Sequence, residues 1–382
     1  MIYLDNNATT RLDPRVLEAM LPFFTEEYAN AASTHPFGLR AHEAVKLARQ
    51  QVAQLLGCEP QELIFTSGAT EAINLAIKGV VESYASRGRH IVTVQTEHTA
   101  VLDVCRYLET QGCEVTYLPV QPNGLLDLAT VQAAIRPDTI LVSVMVVNNE
   151  TGVIQPIREI AALAHAAGAL FLTDATQAVG KLPLDVEALG IDLLTFSGHK
   201  FYGPKGVGGL YVRQRKPRRV RLAALLHGGG HERGWRSGTL NVPGIVGLGH
   251  AAELCARTMT AEAARIGALR DELEAGLLAI SGTRVNGNRQ HRLYNTTNIR
   301  FEGCDSDAMM MGLEGIAVSN GSACTAASVD PSHVLLAMGL DETEAFSCLR
   351  FSLGRFNQVK DLAVSHAAMT ETVKMLRAFA VA

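Results

Sequence analysis

Through the first half of the chain and somewhat beyond, short apolar runs alternate with longer stretches in which apolar residues recur every three to four positions. Short runs bounded by polar residues predict buried strands, and the 3.6-residue period predicts amphipathic helices. Strands are expected at Ile2–Asp5, Leu63–Phe65, His90–Val94, Glu114–Leu118, Ile140–Val147, Ala169–Thr173, Leu193–Phe196 and Gly208–Val212. Helical spacing covers Glu43–Leu56, the segment after Ser67-Gly68-Ala69-Thr70-Glu71 to about Val81, a segment from about Ala100, and Ile157–Ala167. This alternation predicts a mainly parallel sheet covered by helices.

Past Asn241 the pattern changes. A helical stretch runs from Ile245 to about Ile280, and strands near Asn298–Phe301 and Cys348–Leu353 follow, with helices between and after them. The expected organisation is a large α/β domain over 15–255, and a smaller α+β domain formed by 1–14 with 256–382.

In open α/β sheets ligands collect outside the carboxyl ends of the strands, so polar residues directly after apolar runs are the first candidates for a site. Thr70, His98, Asn149, Asp174 and Lys200 all occupy such positions. Together they predict one site on one edge. A lysine amine in Ser197-Gly198-His199-Lys200 can form a Schiff base, and the Asp174 carboxylate can hold a protonated pyridine nitrogen. Those are two fixed points of a pyridoxal phosphate site. Ser67 to Glu71 offers small residues and hydroxyls that let free amides at a helix start meet a phosphate. Gln177 can donate to the ring phenolate, and His98 can stack on the ring or carry protons.

Each residue has a plainer alternative. Ser67 to Glu71 also reads as an ordinary N-cap with Glu71 as partner, Asp174 as a turn aspartate, and His98 as a structural histidine. Lys205 competes with Lys200, which is favoured by its histidine neighbour and its place directly after the strand. No Gly-Lys-Ser/Thr closes the Ser67 loop, and the glycines of Gly203 to Gly209 precede a strand, which argues against Walker and dinucleotide fingerprints. His227-Gly228-Gly229-Gly230-His231-Glu232 reads as a glycine-rich mobile loop, because zinc needs more ligands close by. No metal is expected.

Composition narrows the class. The chain has 382 residues, 47% apolar and 19% charged, with a formal net charge of -4. Neither a nucleic-acid surface nor a membrane surface is predicted, and the basic stretch Arg213 to Arg221 reads as a solvated loop. The N-terminus shows no signal-peptide pattern and no apolar run reaches bilayer length, so a soluble cytoplasmic protein is expected. Seven scattered cysteines, an odd number, argue against a disulfide framework. Cys324, in Ser322-Ala323-Cys324-Thr325-Ala326-Ala327-Ser328, lies among small residues that predict a flexible exposed loop and a reachable thiol. Arg350, in an alternating strand, can bind a substrate carboxylate bidentately or pair at the surface.

Assembled, these residues resemble the cysteine desulfurases of the class-V aminotransferase family, in the class with a long cysteine-bearing loop found in nitrogen fixation and iron-sulfur housekeeping. The resemblance runs nearly the whole chain. It rests on Tyr3 to Thr10, Thr66 to Glu71, Thr96-Glu97-His98, Asn148-Asn149-Glu150 and Asp174-Ala175-Thr176-Gln177. Ser197 to Gly203, Gly228 to Gly234, Arg236-Ser237-Gly238-Thr239, Gly321 to Thr325 and Arg350-Phe351-Ser352 complete it.

The resemblance implies a fold-type I, aspartate aminotransferase-like homodimer with pyridoxal 5'-phosphate on Lys200. It implies phosphate contacts from Ala69, Thr70, Ser197, Gly198 and His199, with Thr239 reaching in from the other subunit. Asp174 would meet the pyridine nitrogen, Asn149 and Gln177 the phenolate side, and His98 the ring face. Arg350, with Asn149, would hold the carboxylate of L-cysteine. Cys324 would take the sulfur as a persulfide, leaving alanine, and pass it to an acceptor protein of iron-sulfur assembly, tRNA thiolation or DNA phosphorothioation. An aminotransferase or selenocysteine lyase would need the cofactor without Cys324, and a purely docking subunit would need neither. Departures from the family bear on the acceptor: Asn30-Ala31-Ala32-Ser33 replaces an Asn-Pro turn, Asn320 replaces a serine, and the chain ends at Ala382 without the longer family tail.

Overall fold

The computed structural model describes residues 1–321 and 330–380. Its strands, in chain order, are β1 (Ile2–Tyr3), β2 (Leu63–Thr66), β3 (His90–Val94), β4 (Glu114–Leu118), β5 (Thr139–Ser143), β6 (Leu170–Asp174), β7 (Leu193–Ser197), β8 (Gly208–Val212), β9 (Thr283–Asn286), β10 (Thr296–Phe301), β11 (Ile316–Ala317) and β12 (Cys348–Ser352). Seven of them form the main sheet in the order β2-β8-β7-β6-β5-β3-β4. Strand β8 runs antiparallel to both neighbours and the remaining pairs are parallel. The carboxyl ends of β2, β3, β5, β6 and β7 therefore lie on one edge.

Apart from the edge strand β4, the sheet is buried on both faces, which is why its strands read as largely apolar runs. Alternate side chains feed different cores: Val92, Val142, Phe171, Leu194 and Phe196 enter one, and Ile91, Leu141, Leu172, Leu193 and Leu210 the other. The helices Pro36–Leu56 and Ile157–Ala166 cover the first face, and Ala69–Tyr84 and Thr99–Thr110 the second.

A three-stranded antiparallel sheet, β12-β10-β9, and the parallel pair β1-β11 build a third core with Leu4, Ile299, Phe301, Leu349 and Phe351. The helix Val242–Leu278 joins the two regions. Its first half contributes Val242, Ile245, Leu248 and Cys255 to the main core, and its second half Ile266, Leu269, Leu273 and Leu277 to the third.

Two elements depart from the pattern reading. The helix expected from Glu43 begins at Pro36, capped by the His35 ring accepting from Gly38 N at 3.2 Å. The strand expected to reach Val147 ends at Ser143. Val144 and Val146 still donate to Leu172 O and Asp174 O at 3.1 and 3.0 Å, so the run stays buried beside β6 without regular pairing. Hydrophobicity reports burial, not ladder geometry.

Candidate active site

The strand ends on the shared edge open into one cavity of about 500 Å³, lined among others by Thr70, His98, Asn149, Asp174, Lys200 and Arg350. All five strand-end residues singled out by sequence meet here. Ala69, Gln177, Ser197 and His199 line it as well, and so does Lys205. Gly198 lies under the wall, where an added Cβ would stand 2.9 Å from Leu248 Cδ1. Thr239 is exposed and does not line the cavity within this chain. Cys324 lies outside the described residues. Gly321, three residues before it, lines the cavity.

One end of the cavity suits an anion. The helix Ala69–Tyr84 starts at Gly68 with no capping side chain, so its first amides face the opening beside Ser197 and His199. Glu71 closes the loop from below, accepting from Ser67 N at 2.8 Å and from Arg236 Nε at 2.8 Å. Glycine is required at 208, where a Cβ would fall 2.4 Å from Phe196 O and 2.8 Å from Gly68 Cα. Burial first, and then the ammonium groups of Lys200 and Lys205, push the His199 pKa down to about 4. His199 is therefore neutral at pH 7, within reach of Thr9 Oγ1 at 3.0 Å.

At the centre, Lys200 Nζ donates to Asn7 O at 2.6 Å and to Ala8 O at 2.8 Å. Gln177 Nε2 donates to the same Asn7 carbonyl at 2.8 Å. Asp174 is 6% exposed. One of its oxygens accepts from Thr176 N at 2.9 Å, and no lysine or arginine ion pair to it occurs among the described residues. That leaves the carboxylate available to a cationic group of a ligand. His98 accepts from Ala100 N through Nδ1 at 3.1 Å, which makes it the N-cap of the helix Thr99–Thr110 and puts the neutral ring's proton on Nε2. The ring thus caps a helix and also lines the cavity.

On the far wall Arg350 is 3% exposed and donates to Asn149 O at 3.0 Å and to Asp5 Oδ1 at 2.6 Å, while its Nε has no partner among the described residues. A substrate carboxylate would complete that fork.

This donor set fits pyridoxal phosphate: open amides and hydroxyls for the phosphate, a lone buried carboxylate for the pyridine nitrogen, and an amine between them. Sequence reasoning quoted Asn7, Ala8 and Asp5 only as part of a motif. The signal was the polar run Asn6 to Thr10 directly after an opening strand. Glu232 is a structural group rather than a metal ligand, since it accepts from Arg49 and from Phe65 N. Among the described residues no cluster of three or more metal-ligating side chains occurs, and no helix is long and apolar enough to cross a membrane.

Residues 2–364 match the aminotransferase class-V family. The chain is 55% identical over 378 residues to the cysteine desulfurase IscS of Anaeromyxobacter dehalogenans (strain 2CP-C), covering 98% of this chain and 93% of that protein. A solved NifS-like protein superposes with a TM-score of 0.90 at 39% identity, covering 98% of this chain and 99% of that one. SspA, solved in complex with cysteine, superposes with a TM-score of 0.82 at 40% identity over 92% of this chain and 99% of that one.

Proposed function

This chain belongs to the aminotransferase class-V family and, within it, to the cysteine desulfurases; from that membership we infer that it converts L-cysteine to L-alanine and delivers the sulfur to Cys324. The observation that carries the residue assignment is the cavity in which the Lys200 amine, the unpaired Asp174 carboxylate and the open start of the helix Ala69–Tyr84 converge.

Bound pyridoxal phosphate supplies an electron sink for the substrate Cα. Lys200 Nζ links it and afterwards carries protons beside Cα. Ala69, Thr70, Ser197 and the neutral His199 hold the phosphate, and Asp174 keeps the ring nitrogen protonated. Gln177 and Asn149 serve the phenolate side. His98 covers the ring and offers the Nε2 proton. Arg350, on the cavity wall, binds the substrate carboxylate. The Cys324 thiolate attacks the substrate sulfur: the new S–S bond forms as the C–S bond breaks, the bonding pair passes to carbon, and protonation there completes alanine. No external oxidant is needed.

The protein acts as a homodimer in which Thr239 of each copy completes the phosphate site of the other. The acceptor is a cytoplasmic sulfur-carrying protein, an iron-sulfur scaffold in the first instance. L-Cysteine with a reductant is expected to give alanine and sulfide in equal amounts from the holoenzyme. Lys200→Ala abolishes both, and Cys324→Ser abolishes labelling of an acceptor protein by 35S-cysteine. Full 35S transfer by Cys324→Ser would refute the persulfide assignment.

A further inference from the structure

Behind the site lies a second lysine that the chemistry above does not use. Lys181 is 3% exposed, and its Nζ donates to Gln177 Oε1 at 2.9 Å. It is carried there by a turn after β6: Gly180 has φ +75°, and a Cβ at that position would lie 2.7 Å from Phe201 Cβ. The turn is built so that the next side chain points inward.

We propose that Lys181 is a positioning residue for the cofactor-linking lysine, fixing the Gln177 amide and setting the charge behind Lys200. The proposal rests on the reading that Lys200 carries pyridoxal phosphate. By donating to it, the lysine holds the oxygen end of the Gln177 amide and turns the NH₂ end the other way. That end donates to Asn7 O, the carbonyl that also receives Lys200 Nζ. A continuous chain of hydrogen bonds thus runs from Lys181 through Gln177 and Asn7 to Lys200. Without the lysine, the amide is free to turn its oxygen toward the Asn7 carbonyl and the phenolate side, where it would repel.

The electrostatics point the same way. Burial and then the neighbouring Lys200 push the Lys181 pKa down to about 7. The other charged or titratable groups that bear on it are Cys255 and Arg350, so no carboxylate compensates it. Around Lys200 the titratable and charged groups lining the cavity are Glu71, His98, Asp174, His199, Lys205 and Arg350. Two cations close together repel, and deletion of one favours the charged form of the other. A buried, uncompensated cation costs stability and calls for a functional reason.

The test uses holoenzyme reconstituted with pyridoxal phosphate and reads the pH midpoint of the cofactor's visible band. Lys181→Met and Lys181→Gln are expected to raise that midpoint by up to about one pH unit, while Lys181→Arg, which stays charged where the lysine titrates, leaves it at or below the parent value. Lys181→Met is also expected to weaken cofactor retention about tenfold, and its apoprotein is expected to melt at or above the parent temperature. An unmoved midpoint in both neutral variants, or an equal shift in Lys181→Arg, overturns the proposal; if Lys181→Met does not fold, Lys181→Gln decides. A visible band that is absent from the parent or survives Lys200→Ala refutes the cofactor assignment instead.

Discussion

The Asp5 carboxylate and the Arg350 guanidinium meet across 345 positions of sequence at the wall of the cavity, where Arg350 is proposed to bind the substrate carboxylate. Asp5 and the Asn149 carbonyl each take one terminal nitrogen, and Nε is buried without a partner among the described residues. Asp5→Asn removes the charge that fixes this orientation, and is expected to raise KM for L-cysteine about tenfold while leaving kcat within about twofold. An unchanged KM in steady-state kinetics would count against the role. Glu97, fully buried next to His98, accepts from Met145 N at 2.6 Å, and its second oxygen has no partner among the described residues. Burial, with Asp174 adding to it, raises its pKa well above the usual carboxyl range. Because the folded pKa is raised, the folded state binds the extra proton. Its contribution is full below the unfolded value of about 4.3 and falls as pH rises from there toward the folded pKa. Glu97→Gln, neutral at every pH, is therefore expected to melt higher than the parent at pH 8 and to lose that advantage near pH 4. Melting curves across pH 4–8 check the sign.

At the scale of elements, the close approach of β2, β8 and β7 builds the phosphate end. Gly208 pairs with both Thr66 and Ser197, and its missing side chain lets Gly68 and the Phe196 carbonyl close around it. Gly208→Ala forces the Thr66–Gly68 loop away from Ser197. Cofactor affinity, measured by fluorescence titration of the apoprotein, is expected to drop at least tenfold, with a stability loss of about 1–3 kcal/mol. Affinity equal to the parent would place the constriction elsewhere. The strands of this edge were legible because each is buried on both faces, and so were the polar residues that end them. Strand β5 was overrun because Val144 to Val147 are as buried as a strand without pairing like one. Lys181 gave no signal: in Val179-Gly180-Lys181-Leu182 a lysine beside a turn reads as a surface residue, and only the inward turn at Gly180 reverses that. The Asp5–Arg350 pair was equally silent, since no local spacing links the two ends of a chain.

For the whole molecule, motif and fold agree because nearly every motif falls at a strand end or helix start on one edge, and a parallel sheet brings those ends together whatever their distance in sequence. Thr239 is the exception that a single chain cannot place: it is exposed and away from the cavity its motif predicts it to serve. The proposed homodimer would account for this, since a twofold partner would present the same surface to the same site in return. That arrangement has a consequence that activity alone can read. Lys200→Ala removes the lysine from its own pocket but leaves a normal Thr239, and Thr239→Asp puts a negative charge beside the partner's phosphate while keeping its own Lys200. Each variant alone is expected to be nearly inactive. Unfolded together at equal amounts and refolded with cofactor, about half the dimers are mixed, and each mixed dimer holds one pocket with an intact lysine and an intact threonine, giving about a quarter of parental activity. If Thr239 served its own pocket, mixing would restore nothing, because no combination of the two chains would then contain a complete site.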